Sequence, residues 1–238
     1  MKARATATAC ALLLLVSLAR AADPGLMPFT ASYELRYGSK RVGESTLTLS
    51  STGAQFWTFE SRTEPKGLAK MLTGGIVEKS VFALDGAELK PLLFNATESR
   101  GKASQSVSYD WAQGIAHAER DGERADLELR PRVIDHALLQ IALMLDLAGG
   151  RTLAPYQLIE KNELRSYDYE RAGEETVETP AGSYRAVMVR QTRSGSSREL
   201  WFWCAPDLRY LPVRVEQRKE GKVLFRMSLT SAHMEASS

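Results

Sequence analysis

The stretch that decides the fold is Asp135 to Leu147, with the sequence DHALLQIALMLDL. Apolar residues, Leu139 among them, leave this segment almost no polar side, and a helix that is apolar nearly all round has to be buried. Such a helix would be about 20 Å long, which is too short to cross a membrane. Asp135 is a suitable N-cap, and Gly149-Gly150 supplies a stop signal. We therefore predict a buried helix over 135–147, which needs a concave apolar surface around it.

Outside this helix, apolar and polar residues alternate with the period of two that is typical of strands. One polar and one apolar face per strand favours an antiparallel sheet, and short glycine-containing breaks between the runs predict tight turns. We predict a mainly β fold of roughly ten to twelve strands: a single curved antiparallel meander sheet, an open or half-closed β-barrel, around one buried apolar helix. The alternating runs are Tyr33 to Tyr37, Leu47 to Leu49, Val107 to Trp111, Leu127 to Leu129, Leu211 to Glu216 and Val223 to Leu229, and the breaks include Asp85-Gly86, Asp121-Gly122 and Glu220-Gly221.

Residues 1–21 have the three-part layout of a secretory signal peptide. Lys2 and Arg4 precede an apolar run from Ala9 to Leu18, and Ala19-Arg20-Ala21 fits the small-x-small rule for cleavage. We expect cleavage after Ala21, which leaves residues 22–238 as a single β-rich domain in the periplasm without a transmembrane span. Because the removed segment carries three cations and no acid, the mature chain is close to neutral, which does not favour nucleic-acid binding.

Residues that carry chemistry are sparse in the mature chain. Cys10 would leave with the signal peptide, so the remaining cysteine, Cys204, can form no internal disulfide. The histidines lie far apart in the sequence, whereas zinc ligands are usually closely spaced. Motifs for a nucleophilic serine, a phosphate-binding loop or a dinucleotide-binding turn are missing from the sequence. We expect no cofactor, no metal and no enzymatic activity.

Asp135 and His136 are the one adjacent pair that could act as acid and base. An N-cap and its neighbour need no catalytic role, and we favour that interpretation.

A second segment, Lys66 to Leu72 (KGLAKML), predicts a short amphipathic turn over one end of the sheet. Gly67 and Gly74-Gly75 bound it, so it could open as a lid, and a fixed plug is the alternative. Exposed tryptophans would be further ligand contacts, although a tryptophan in an alternating strand is more often part of the core. The ligand-contact candidates are Leu68, Met71, Leu72, Lys66, Lys70, Trp57 and Trp111.

Three stretches together resemble a known family. They are FTASYELRYGSKRVGES (Phe29 to Ser45), ETPAGSYRAVMV (Glu178 to Val189) and WFWCAPDLRYLPVRVEQ (Trp201 to Gln217). Their order is similar to that of the bacterial exported family catalogued as domain of unknown function 3108. This resemblance implies a curved antiparallel sheet, similar to the folds of periplasmic lipoprotein carriers, and it implies no catalytic residues. In the last stretch we interpret Trp201, Trp203, Cys204, Pro206 and Pro212 as structural residues.

Three functional hypotheses remain open. The first is a non-enzymatic periplasmic protein that binds a lipid or another apolar or amphipathic ligand, or that supports envelope assembly. The second is a structural or interaction module whose sheet is filled by the helix. The third is a hydrolase with a dispersed site. An apolar cavity open at one end would favour the first hypothesis, a solid core the second, and a cleft with converging carboxylates the third.

The signal-peptide interpretation is tested by the N-terminus of the exported protein. We expect N-terminal sequencing of periplasmic material to start at Ala22, because cleavage follows Ala19-Arg20-Ala21. Intact Met1 in a membrane fraction, or lipid attached to Cys10, would contradict it.

Overall fold

The computed structural model describes residues 26–53, 55–67, 69–72, 74–86, 88–99 and 104–235. The predicted signal peptide and its cleavage site lie outside these residues. Within them are two α-helices, α1 (Ala69–Leu72) and α2 (Leu139–Ala148), and a 3₁₀ turn at Pro206–Leu208. The strands are β1 (Phe29–Tyr37), β2 (Lys40–Ser51), β3 (Phe56–Pro65), β4 (Ile76–Asp85), β5 (Glu88–Glu98), β6 (Ser104–Asp110), β7 (Ile115–Arg120), β8 (Glu123–Glu128), β9 (Val133–Asp135), β10 (Tyr156–Glu160), β11 (Glu163–Thr179), β12 (Gly182–Thr192), β13 (Arg198–Ala205), β14 (Leu211–Lys219) and β15 (Lys222–Met234).

All the described strands belong to one 15-stranded sheet, in the order β8-β7-β6-β5-β4-β3-β2-β1-β15-β14-β13-β12-β11-β10-β9. The chain starts at the centre with β1, runs by hairpins to the edge strand β8, and returns through β10 to β15, which pairs with β1. Neighbouring strands are antiparallel except β9 and β10, which are parallel because α2 connects them as a crossover. The predicted mainly β, open antiparallel meander is confirmed.

The prediction of roughly ten to twelve strands is wrong, since the described residues form 15. Several strands carry no apolar alternation that a sequence reading could detect. Over most of its length β11 consists of exposed charged and small residues, and β9 is three residues long and wholly buried.

The sheet curves strongly enough to bring the turn between β10 and β11 into contact with the edge strand β8. Asn162, in the turn between β10 and β11, donates from Nδ2 to the backbone oxygen of Glu123 in β8, at 2.9 Å. The curved inner face carries the alternating apolar residues, and Tyr33, Leu47 and Leu49 are each at most 2% exposed. This inner face is the concave apolar surface that the buried helix requires.

The alternation of β14 predicts that Glu216 lies on the polar face of the strand, and this prediction is wrong. Its side chain is 1% exposed, and it accepts hydrogen bonds from Arg218 Nη2 at 2.6 Å and Arg226 Nε at 2.7 Å. The Arg218 guanidinium also lies over the rings of Trp201 and Trp203. Burial of this carboxylate is tolerated because two guanidinium groups neutralise it.

The predicted helix forms, but its start differs from the prediction. It begins at Leu139, and Leu138 takes the N-cap position without a side-chain cap. Asp135 is the last residue of β9, although its Oδ1 accepts the backbone N–H of Leu138 at 3.1 Å. At the other end the predicted stop is present, because Gly149 is the C-cap and donates its N–H to the Leu145 oxygen.

Nearly every residue of α2 is buried inside the curved sheet. Only Gln140 and Ala148 are partly or fully exposed, and burying one large apolar side chain contributes roughly 1.5–3 kcal/mol. The fully or almost fully buried residues are Leu139, Ile141, Ala142, Leu143, Met144, Leu145, Asp146 and Leu147. The helix therefore forms the centre of the core.

Asp146 ties the C-terminal end of α2 to the sheet. Its carboxylate, 2% exposed, accepts hydrogen bonds from Arg132 Nη2 at 3.0 Å, Arg151 Nε at 2.8 Å and the Tyr156 hydroxyl at 2.7 Å. The Arg132 guanidinium also stacks on the Tyr156 ring, 3.7 Å from its centroid. Removing one partner of such a buried ion pair typically costs about 3–5 kcal/mol. We call these four residues the Asp146 cluster.

The helices in the described part of the chain are all too short or too polar to span a bilayer.

Asp135 lies fully buried at the opposite end of the helix. Ser80 Oγ donates to its Oδ1 at 2.8 Å, and the Tyr109 hydroxyl lies 3.4 Å from its Oδ2. Burial disfavours the charged carboxylate and raises its pKa from 3.8 to about 6, against the opposing effect of the Ser80 hydrogen bond. The contribution of Asp135 to stability is therefore present below pH 3.8 and is lost as the pH rises through about 6.

Asp135→Asn should remove this pH dependence. The amide stays neutral and can still accept from Ser80, so the free energy of unfolding of the variant relative to the parent should rise by about 2 kcal/mol between pH 4 and pH 7. Urea unfolding at several pH values measures this difference. The control Asp168→Asn changes an exposed carboxylate and should give a flat difference. A flat difference for Asp135→Asn as well would contradict the prediction.

Candidate functional site

A cavity lies where α2 begins, and we call it the helix-start cavity. Its volume is about 470 Å³, which is within the usual range for small-molecule sites. Its walls come from the turn between β10 and β11, the turn between β12 and β13, and the first residue of α2. The lining residues are His136, Leu139, Leu158, Glu160, Lys161, Arg165, Tyr167, Gln191, Thr192, Arg193, Ser196, Arg198, Glu199, Leu200 and Gln217.

The helix-start cavity has an apolar part. Leu139 and Leu158 are 5% and 2% exposed and belong to the core, while Leu200 is partly buried against it. The curved sheet brings these leucines together from α2, β10 and β13. A ligand with an aliphatic part would find apolar surface here.

The polar part of this cavity carries excess positive charge. Both of its carboxylates are engaged. Glu160 accepts hydrogen bonds from the Tyr167 hydroxyl at 2.9 and 3.0 Å, and Glu199 accepts one from Trp201 Nε1 at 2.8 Å.

Three of its cations, Lys161, Arg193 and Arg198, form no ion pair with any residue that the structure describes. Arg193 lies over the Tyr167 ring, 5.9 Å from its centroid. Burial and the hydrogen bond to Glu160 raise the pKa of Tyr167, so this hydroxyl remains a donor at neutral pH.

His136 closes the inner side of the helix-start cavity. Its Nε2 lies 2.6 Å from Glu78 Oε1 in β4, and its ring meets Phe94 edge-on at 5.1 Å between centroids. Burial acts to lower the pKa of His136, but the hydrogen bond and the negative charge of Glu78 outweigh it, so the pKa is raised. Asp135 is thus hydrogen-bonded to Ser80 and His136 to Glu78. The two side chains anchor the chain before α2 separately.

The Lys66 to Leu72 segment lies at the same end of the sheet as His136, beside a different groove. Lys66 and Lys70 line this groove of about 280 Å³ together with Ile76, and Lys66 pairs with Glu44 at 3.3 Å. The predicted helical turn is present as α1, with Met71 73% exposed. Leu68 and the side chain of Leu72 lie outside the described parts of the structure.

Trp57 and Trp111 lie together at the other end of the sheet. Trp57 is 7% exposed and pairs with Phe82, which pairs with Pro91. Trp111 is partly buried, and its Nε1 donates to the Pro91 oxygen at 2.7 Å. Strand β3 has ten residues, so Trp57 is separated by roughly 30 Å from the end of β3 that leads to Lys66. The structure does not bring the two groups of ligand candidates together.

The tryptophan strand β13 has the packed environment expected of structural residues. Trp203 is 2% exposed and donates from Nε1 to Glu175 Oε1 at 2.6 Å, whereas Trp201 is partly buried. Cys204 is completely buried, and burial raises the pKa of its thiol to about 12. A thiol in this state is a poor nucleophile at neutral pH.

The two prolines that follow have different surroundings. Pro206 starts the exposed 3₁₀ turn. Pro212 is buried in β14, and its backbone oxygen accepts the Tyr33 hydroxyl at 2.9 Å.

The sequence reading missed most of the helix-start cavity. Its cations are contributed by two turns that are distant in sequence, and alternation does not predict which turns of a meander approach each other. Arg193 and Arg198 do flank the polar run Ser194 to Ser197, so paired cations beside a hairpin turn were the available signal. No group of three or more possible metal ligands occurs within the described ranges.

Solved structures of two bacterial proteins are similar to this chain. The chain is similar to a β-barrel-like protein of domain of unknown function DUF1849 from Brucella abortus, at 10% identity and a TM-score of 0.55, with 89% of this chain and 99% of that one covered. It is also similar to a protein from Bacteroides fragilis described as exported with a YmcC-like fold, at 10% identity, a TM-score of 0.41 and coverages of 87% and 96%. No curated protein matches the chain.

The first of these likenesses shows the fold alone, because its identity is low. The family model described as "Protein of unknown function (DUF3108)" matches residues 32–229. This range contains α2, β2 to β14 and every residue named in the helix-start cavity. The resemblance found in the sequence is thereby confirmed: the chain belongs to the DUF3108 family.

Proposed function

We propose that the protein is exported through the signal peptide at residues 1–21 and binds an anionic amphipathic ligand in the periplasm, without catalysing a reaction. The observation that carries this proposal is the helix-start cavity. There, Leu139, Leu158 and Leu200 lie in one cavity with cations that have no ion-pair partner among the described residues. Such a cavity matches a molecule with an aliphatic part and a negative head group.

The energetics of the cavity favour this class of ligand. Burying aliphatic surface against the leucines contributes roughly 25 cal/mol per Å². An anionic group would lie near Lys161, Arg193 and Arg198, beside a low-dielectric interior that strengthens charge attraction relative to bulk water. A cationic ligand would instead be repelled by these groups.

The segment Lys66 to Leu72 fits this proposal as part of the rim. Lys66 and Lys70 lie at the same end of the sheet as the helix-start cavity, and Met71 is 73% exposed. We propose that this segment contacts the bound ligand from the rim of the helix-start cavity. Trp57 and Trp111, at the far end, would stabilise the sheet.

A second candidate function is a structural or interaction module without a ligand. The specific observation that favours it is α2, which fills the interior of the curved sheet. In that case the helix-start cavity would hold only water. The complete burial of Cys204 gives the hydrolase hypothesis no nucleophile at this position.

A fluorescent fatty acid tests the proposal. Dansylated undecanoic acid should bind the parent protein saturably, with increased emission. The double variant Arg193→Glu/Arg198→Glu should weaken its affinity by at least about tenfold, which is about 1.4 kcal/mol. Arg171→Glu, at an exposed position of β11 outside the cavity, is a charge control that changes the net charge by half as much, and it should bind as the parent does.

A probe with the same tail and an amine head group should show the opposite dependence on the double variant. If the parent shows no saturable binding of the acid probe, the binding proposal fails and the structural module replaces it. Equal weakening by Arg171→Glu would show that the effect is a general one of net charge.

A further inference from the structure

Four neighbouring turns form a surface at the end of the sheet where α2 begins. They connect β3 to β4, β1 to β2, β14 to β15 and β12 to β13, and these strands lie next to one another in the sheet. Because all the strand pairs involved are antiparallel, the four turns lie at the same end. We call the described residues among 37–40, 65–76, 192–198 and 219–222 the basic patch.

The basic patch concentrates positive charge on a chain whose formal net charge is only +2. Glu220 is the one acidic residue in these four stretches of sequence. Lys40, Lys219 and Lys222 are exposed and form no ion pair with a residue that the structure describes, whereas Lys66 pairs with Glu44. The cations of the patch are Lys40, Lys66, Lys70, Arg193, Arg198, Lys219 and Lys222.

Two of these lysines face each other across a turn. Lys219 and Lys222 are the last cross-strand pair of β14 and β15, and like charges directly opposite each other on neighbouring strands repel. A negatively charged surface above this turn would relieve the repulsion. The arrangement therefore favours an anionic partner.

Large apolar side chains are exposed within the same patch. Tyr37 is 62% exposed, Met71 73% and Ile76 43%. Exposed apolar residues that are grouped among charged ones typically mark a surface that binds a protein or a membrane. The partner of the basic patch should thus combine negative charge with apolar material.

A row of cross-strand partners connects the basic patch with the helix-start cavity. Tyr37 is opposite Phe225 in β15, Phe225 is opposite Gln217 in β14, and Gln217 is opposite Leu200 in β13. Residues directly opposite each other share one face of a sheet, and Gln217 and Leu200 line the cavity. The turn 192–198 contributes residues to both the patch and the cavity. The cavity therefore lies directly beside the patch.

An anionic lipid bilayer fits this combination of side chains. Tyrosine is enriched at membrane–water interfaces, because its ring is apolar and its hydroxyl is polar. A lysine can place its methylene groups along apolar surface while its ammonium group reaches a phosphate. A purely acidic protein segment would pair with the lysines but would leave Tyr37, Met71 and Ile76 in water.

We propose that the basic patch docks the protein on an anionic lipid bilayer, with the helix-start cavity next to the membrane surface. Lys40, Lys219 and Lys222 contact lipid phosphate groups, and Tyr37 inserts at the level of the head groups. This inference goes beyond the proposed function, because docking requires no ligand in the cavity. The lysine contacts are exposed, so salt weakens them.

Vesicle flotation of the mature chain tests the proposal. Vesicles of phosphatidylethanolamine and phosphatidylglycerol provide the anionic bilayer, and phosphatidylcholine vesicles provide the neutral one. We expect the parent to partition onto the anionic vesicles at least about tenfold more strongly at low salt, because several cations act together. Added salt should reduce this difference.

The double variant Lys219→Glu/Lys222→Glu should lower partition onto the anionic vesicles by at least about tenfold, since it turns two attractions into repulsions. Arg130→Glu/Arg209→Glu is the matched control. It changes the net charge by the same amount at exposed positions of the opposite end of the sheet, and it should partition as the parent does. Equal losses in both variants would reduce the effect to net charge and would overturn the patch.

Tyr37→Ser tests the apolar part of the surface. It should lower partition by at least about threefold, because the ring no longer leaves water. Phe56→Ser, at a 49% exposed position of the opposite end, is its control and should have no effect. Both positions are exposed, so we expect the two variants to unfold at the melting temperature of the parent.

Three results would overturn the proposal. The first is no partition of the parent onto the anionic vesicles, and the second is equal partition onto the neutral ones. The third is binding that Tyr37→Ser leaves intact and that soluble polyglutamate matches, which would assign the patch to an acidic protein. Tyr37→Ser should bind the dansylated acid as the parent does, so failure of docking and failure of the proposed function can be told apart.

Discussion

Burial of α2 inside an open sheet is the interaction on which the rest of the structure depends. A sheet of 15 strands that does not close has a wide inner face. In a smaller, closed barrel, the inward apolar residues of opposite walls pack against each other. The inward apolar residues of this open sheet need a different partner. The helix is that partner, which explains why almost every one of its side chains is apolar. An amphipathic helix of the same length would place polar groups against this surface at a cost of about 1–3 kcal/mol for each unpaired group.

The position of α2 determines where the helix-start cavity lies. Because the helix fills the middle of the curved sheet, the helix-start cavity lies at the end of the sheet where the helix begins. At the C-terminal end the Asp146 cluster neutralises a buried carboxylate and fixes the helix to β10. At the N-terminal end Asp135 and His136 are anchored to neighbouring residues of β4 through Ser80 and Glu78. The helix-start cavity lies beside this second anchor.

The fold was predictable from the sequence to the extent that single strands and one helix carry local signals. Alternation identified the inward positions of β1 and β2, and the apolar run identified α2 to within a few residues. Buried charges were not predictable, because Asp146 and Glu216 are compatible with the interior only through arginines that the fold brings to them. The helix-start cavity was missed for the same reason, since Lys161 and Arg193 become neighbours only when the sheet curves.

The central claim, that α2 is an integral part of the core, is tested most directly by native-state hydrogen exchange. We predict that the backbone amides of Leu143 to Leu147, which are hydrogen-bonded within α2, exchange only when the whole protein unfolds. Their free energy of opening should then equal the free energy of unfolding measured with denaturant and that of the central strands β1 and β15. Opening of α2 at a clearly lower free energy, while β1 and β15 remain protected, would contradict the account, because the sheet would then persist without its helix.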